Sequence, residues 1–312
     1  MAFKAPKRTY VYGPVPSRRL GFSLGVDILP FKTCTLDCVY CQLGPSSRTT
    51  VRRKAFFDPQ EILSQTKRAI ASGARIDHIT FSGSGEPTLN RSIGELIRGI
   101  KKMTDIPVAV LTNATLLSRT DVREALRSAD VVVPSLDAAT PGLFRRVNRP
   151  QRSLSLSRTI RGLAEFRRRY KGRIWLEIML VKGMNDSPSH VRKLKQAIAS
   201  IRPDKIQLNT VVRPPAVESS RPLSAAEMEN IRRAIGEGCE VVADFPKKAQ
   251  TPAINSLEAG ILSMVGRRPV TARDIAASSG KHHDEVCKAL ASLVSAKKIR
   301  RTSFKGKTFF SK

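Results

Sequence analysis

The stretch FKTCTLDCVYCQLG, residues 31–44, brings Cys34, Cys38 and Cys41 within eight positions of a 312-residue chain that has only five cysteines. It follows SLGVDIL (23–29), an apolar run that reads as a strand, so the three thiols sit on a loop leaving a strand end. An odd cysteine count, unevenly spread, does not read as a disulfide framework, and the spacing C-x-x-x-C-x-x-C reads instead as a set of metal ligands. A structural zinc site asks for a fourth ligand. The other candidates (His78, Cys239, His282, His283 and Cys287) offer no companion pair at zinc-finger spacing. A cubic four-iron cluster also takes four ligands. Three protein thiolates therefore leave one position for a ligand from outside the chain, the mark of a reactive centre. A zinc completed by a distant residue is the competing reading.

Outward from this loop, short β-branched runs alternate with amphipathic stretches. The further strand candidates are HITFSG (78–83), PVAVLTN (107–113), DVVVPSLD (130–137), RIWLEIMLV (173–181) and KIQLNTVV (205–212). Helix-like segments at 58–72, 92–103, 118–129, 155–170 and 187–200 lie between them, the first with Asp58 as N-cap and Pro59 at its first position. This alternation predicts a largely parallel, helix-covered α/β sheet, a partial (β/α)6 TIM-type barrel over residues 1–246. A linker is expected at 247–254. Residues 255–312 then read as three helices, the second capped by Thr271, and a hairpin around Lys305-Gly306. That is the order of a small winged helix-turn-helix domain. Cys287 falls near Val286, Leu290 and Leu293 and is expected as a small buried hydrophobe. His282 and His283 are expected at a helix cap or a nucleic-acid contact, Trp175 and Met179 in the core.

Lys and Arg number 55 against 26 Asp and Glu, a net charge of +29. An excess this large points to a polyanionic partner, RNA or DNA, against the plainer reading of a solubilising surface. The 255–312 segment shares it, with twelve Lys/Arg against four Asp/Glu. No apolar run approaches a membrane span and the N-terminus lacks a signal-peptide core, so a cytoplasmic protein is expected.

The motif Cys34-x-x-x-Cys38-x-Tyr40-Cys41 resembles the signature of the radical S-adenosylmethionine (SAM) superfamily. The resemblance spans roughly residues 10–245. It implies a [4Fe–4S] cluster on Cys34, Cys38 and Cys41, with the open iron chelated by the methionine part of SAM and Tyr40 packed on the adenine. GSGEP (83–87) resembles the Gly-Gly-Glu motif of that superfamily, which makes Gly83, Ser84, Gly85 and Glu86 cofactor residues, with Glu86 accepting from the ammonium of SAM. Asn113, Ser135 and Asp137, at the following strand ends, become candidates for its ribose or carboxylate. SRRLG (17–21), FSGSGEPTLN and LVKGMND (180–186) look nearest to the wybutosine-synthesis-like branch. The chain lacks the cysteines upstream of the first motif that hold a second cluster there. Arg18, Arg19 and Lys182 are candidate substrate contacts.

The function implied is reductive cleavage of SAM to a 5′-deoxyadenosyl radical that acts on an RNA, most naturally tRNA. The electron would come from an external donor such as flavodoxin or ferredoxin. Two other readings remain at this level: a radical SAM modifier of a peptide or protein, and an iron–sulfur redox sensor that binds DNA.

Overall fold

The computed structural model describes residues 8–46, 49–243 and 257–312. Eight strands form one sheet in chain order: β1 (Val11–Ser17), β2 (Gly21–Val26), β3 (His78–Phe81), β4 (Val108–Thr112), β5 (Val131–Pro134), β6 (Arg173–Leu180), β7 (Lys205–Thr210) and β8 (Cys239–Val241). β1 runs antiparallel to β2, and every later pair is parallel. Parallel neighbours need crossovers. Here they contain α1 (Pro59–Ala71), α2 (Ile93–Lys101), α3 (Thr120–Leu126), the single turn α4 (Pro141–Leu143), α5 (Leu156–Arg169), α6 (Pro188–Ile201) and α7 (Ala225–Ile235). α4 continues into a π-helical turn, Phe144–Asn148. Among the described residues β1 and β8 do not pair, so the sheet remains open.

The local chemistry accounts for these elements. Val131, Val132 and Val133 are at most 1% exposed, as expected of a parallel strand covered on both faces. Ile93, Leu96, Ile97 and Ile100 repeat at helical spacing along α2 and are fully buried against the sheet. Asp58 caps α1 by accepting from the Gln60 amide, with Pro59 at N1. Ser224 and Glu227 form a reciprocal capping box on α7.

The six expected strands are β2–β7, and the sheet extends one strand beyond them on each side. β1 reads poorly as a strand because Pro14 and Pro16 interrupt it. At a sheet edge a missing N–H leaves no partner unsatisfied.

Beyond the barrel come α8 (Leu257–Val265), α9 (Ala272–Ser279), α10 (His283–Ser295) and the antiparallel hairpin of β9 (Arg300–Phe304) and β10 (Lys307–Ser311). Lys305 and Gly306 both have positive φ, 51° and 67°, the demand of a two-residue primed turn. Thr271 caps α9 together with Asp274, and His282 caps α10. The core of this module (Ile261, Met264, Ile275, Val286, Leu290) also takes in Val15 of β1, so it packs on the edge of the barrel. Cys287 is exposed, contrary to expectation. Val286, Leu290 and Leu293 define the buried stripe, and the next residue along a helix turns about 100° away from it. The expected linker at 247–254 lies outside the described residues.

Gly162 of α5 meets the turn that follows β4. A Cβ there would lie 2.5 Å from the Ser118 amide nitrogen and 2.6 Å from the Leu117 carbonyl carbon. Both are backbone atoms, so the helix must retreat from the turn. Gly162→Ala should therefore destabilise the fold by about 1–3 kcal/mol, seen as a lower urea midpoint at unchanged slope.

Candidate active site

The C-terminal ends of β2–β5 lie side by side, and the cysteine loop, the GSGEP segment, Asn113 and the Ser135–Asp137 segment follow them in turn. Parallel sheets gather ligands at this end. The cysteine loop is held to it by backbone contacts. Thr33 bridges to Gly85, and the Glu86 amide donates to the Thr33 carbonyl (3.0 Å). On the other side the Val39 amide donates to Val147 (3.0 Å) and the Asp37 amide to Asn148 (3.1 Å). Gly85 is required by this packing, because a Cβ would fall 1.8 Å from the Thr33 carbonyl oxygen. Gly83 takes φ +132°, with Asp27 beneath it.

Cys34, Cys38 and Cys41 are free, partly buried and line one cavity of ≈ 340 Å³. Each sulfur has a donor nearby. Asn113 Nδ2 is 3.5 Å from Cys34 Sγ, Asn148 Nδ2 is 3.5 Å from Cys38 Sγ, and Lys32 Nζ is 3.0 Å from Cys41 Sγ. Burial, reinforced by the Glu86 charge, pushes the Cys34 thiol up to about 12. Burial and then Asp137 raise Cys38 well above the ordinary thiol value. Such thiols stay protonated until a cation displaces the proton, and the surrounding donors then stabilise the thiolate. Among the described residues no three His, Cys, Asp or Glu side chains converge as a single ion would require. A four-iron cluster makes no such demand, because each thiolate takes a separate iron. The trio fits that group.

Glu86 is 2% exposed yet lines the same cavity. Its Oε1 accepts from the Thr88 amide (3.1 Å), the Thr88 hydroxyl (2.6 Å) and the Thr112 hydroxyl (2.6 Å). Among the described residues Oε2 accepts only from the Asn113 amide (2.6 Å), which leaves it the oxygen with capacity for a ligand donor. Burial raises this carboxyl, against the pull of those four hydrogen bonds.

Tyr40, Gly83, Gly85, Asn113, Ser135, Arg18 and Arg19 share the cavity with the cysteines and Glu86. Three expected residues do not. Ser84 is buried, with its hydroxyl on Asp27 (2.5 Å). Asp137 is an internal brace: Oδ2 accepts from the Tyr40 hydroxyl (2.5 Å) and Asn148 Nδ2 (2.7 Å), and Oδ1 from the Met179 amide (2.9 Å). It joins the cysteine loop, the π-helical turn and β6, and holds the Tyr40 ring at the cavity wall. Lys182 points to solvent and pairs with Glu227 (2.8 Å).

Sequence reading missed Lys32, Asn148, Glu177 and Met179. Lys32 was readable as a cation two residues before the first cysteine. Met179 lines the cavity instead of filling the core, while its neighbour Trp175 is buried as expected. Glu177, on a strand that reads as apolar, pairs with Arg19 and accepts from Asn209 (2.9 Å). Burial raises the Glu177 carboxyl, but Arg19 and the other bonds outweigh it and hold it below the usual range. Asn148 has no signal in the sequence, because its reach depends on the π-helical turn.

Residues 28–194 match the Radical SAM superfamily. A UPF0026 protein of Methanocaldococcus jannaschii is 35% identical over 69% of this chain and 67% of its own length. A protein of Brachyspira hyodysenteriae called GTPase Obg is 37% identical over 96% of this chain, which spans only 45% of that protein. A probable dual-specificity RNA methyltransferase RlmN of Synechococcus is 28% identical over 56% of this chain and 50% of its own length. Among solved structures, TYW1 with a lysine-pyruvate adduct bound superposes with a TM-score of 0.54 over 75% of this chain and 79% of that one, at 18% identity, a likeness of fold.

Two variants probe this geometry. Gly85→Ala should cost the reconstituted protein most of its iron and sulfide while its circular dichroism is kept, because the loop cannot seat against Thr33. Burial raises Asp137 to about 6, against the hydrogen bonds that hold it. The native state therefore binds this proton more tightly than the unfolded chain does. The contribution is fully present below about pH 4 and is lost as pH rises through about 6, by at most about 3 kcal/mol. In metal-free protein Asp137→Asn should lack that decline when unfolding is followed from pH 4 to 7.

Proposed function

The chain belongs to the radical SAM superfamily, and from that premise we propose that it modifies an RNA, with tRNA as the first candidate, by hydrogen abstraction from a nucleotide held in the cavity. The enzyme class and its cofactors, a [4Fe–4S] cluster and SAM, follow from the family. The observation that carries the reading is the shared cavity: three cysteines, Glu86, Arg18 and Arg19 line the same space. The chain's charge of +29 and the RNA methyltransferase among its relatives support an RNA substrate. Among the described residues no helix is long and apolar enough to cross a membrane, and we place the enzyme in the cytoplasm.

In this reading Cys34, Cys38 and Cys41 give up their protons and hold the cluster, with Lys32, Asn113 and Asn148 donating toward the sulfurs. Glu86 Oε2 accepts from the ammonium of SAM. The tight Gly83–Gly85 backbone leaves room for that end of the cofactor. Tyr40, its hydroxyl tied to Asp137, presents a fixed ring to the adenine. When bound, the cluster and SAM supply a one-electron cleavage, fed by an external reductant such as flavodoxin or ferredoxin, that gives methionine and a 5′-deoxyadenosyl radical. The protein's part is to exclude water and to hold the substrate hydrogen close to that carbon.

Anaerobically reconstituted protein treated with dithionite should release 5′-deoxyadenosine from SAM. Glu86→Gln should slow that release by roughly ten- to a hundred-fold with iron content kept, the scale of a charge-assisted hydrogen bond. A protein that binds its cluster and leaves SAM intact would be a sensor, and the enzymatic reading would fall. Affinity for tRNA should fall steeply as salt rises, and digested tRNA from cells lacking the gene should lose one modified nucleoside by mass spectrometry.

A further inference from the structure

The cavity wall also carries a cluster of guanidinium groups that the cofactor residues leave unused. Three guanidinium groups reach it from three separate segments: Arg18 from the β1–β2 turn, Arg213 from beyond β7, and Arg268 from the turn between α8 and α9. Arg18 Nη1 donates to Asn209 Oδ1 (2.7 Å) and Arg213 Nε to the Pro269 carbonyl (3.1 Å). Arg213 is only 7% exposed. Arg19 and Arg267, which flank the three, each have a carboxylate, Glu177 and Asp27. Asp274, the acidic group that bears on Arg18 and Arg213 together, already accepts from the Thr271 amide (3.0 Å). Arg268 buries an Nη2 that has no hydrogen-bond partner among the described residues.

The electrostatics agree with this inventory. Burial, followed by the neighbouring Arg19, lowers Arg18 to about 10, and burial with the nearby Arg268 and Arg18 lowers Arg213 well below the usual range. A guanidinium N–H buried without a partner among the described residues, as at Arg268 Nη2, is costly unless an acceptor joins it. A carboxylate is satisfied by one guanidinium fork, whereas a phosphate has enough oxygens for several. Arg268 comes from the C-terminal module, so the site is complete only when that module is docked on β1.

We infer that Arg18, Arg213 and Arg268 form a phosphate site in the cavity wall, completed by the C-terminal module, which takes a phosphate group of the substrate. The inference rests on the function proposed above and specifies the group by which the substrate is held. SAM carries a carboxylate and no phosphate, so the site is separate from that of the cofactor.

The test is calorimetric titration of inorganic phosphate into the cluster-loaded, full-length enzyme saturated with SAM. One saturable site is expected, weakened at least about ten-fold in Arg268→Gln, the loss of one charged hydrogen-bond donor, and partly recovered in Arg268→Lys. Arg98→Gln, on the exposed face of α2, should leave it unchanged. Melting temperatures matched to the wild type exclude a folding defect. No saturable site, unaltered binding in Arg268→Gln, equal loss in Arg98→Gln, or displacement of phosphate by SAM would each overturn the inference. Competition by tRNA places the phosphate on a polynucleotide, and competition by a nucleoside monophosphate alone places it on a small substrate; either supports the site. SAM cleavage in the same preparation keeps the two ideas apart. Cleavage without phosphate binding removes only the site, while absent cleavage removes the proposed function.

Discussion

The contact between Thr33 and Gly85 is the constraint on which the rest of the site depends. It is a backbone-to-backbone approach too close for any side chain. Through it the loop after β2 and the loop after β3 become one surface, with the thiols on one side and Glu86 on the other. Other holds on the cysteine loop act in concert with it, among them the amides paired to Val147 and Asn148, and the brace that runs from Tyr40 through Asp137 to β6. Most of these bonds are ordinary backbone hydrogen bonds of modest net worth. Their number fixes three sulfurs that have little regular secondary structure of their own.

The site is also a study in charges kept out of water. Glu86 and Asp137 are deeply buried and Glu177 largely so, and the protein treats them differently. Four donors surround Glu86, and burial still raises it. Asp137 is raised to about 6. Glu177, against Arg19, is held below the usual carboxylate range. The difference lies in whether a formal cation or only neutral dipoles answer the carboxylate. Glu86, answered by dipoles alone, is the one with an oxygen able to take a cationic ligand.

Much of this was legible in the sequence. The six parallel strands announce themselves as β-branched runs, and the cysteine spacing survives any uncertainty in strand boundaries. Asp58, Thr271 and the Lys305-Gly306 turn were readable because caps and turns are local events. What escaped was long-range. β1 is a strand by virtue of its place at a sheet edge, not its composition. Asp137 and Ser84 fell at the right strand ends, but their side chains turn inward to Tyr40, Asn148 and Asp27, and sequence spacing does not encode that choice. Lys182 illustrates the same limit: a basic residue past a strand end faces the cavity or the solvent according to the turn, and here it meets Glu227.

The docking of α8 and α9 on β1 carries a consequence in time. The cysteine loop leaves the ribosome more than two hundred residues before Arg267 and Arg268, the last residues to join the cavity wall. Until they emerge the cavity wall lacks these two guanidinium groups. The order of the segments along the chain thus makes this side of the chamber the last to be finished.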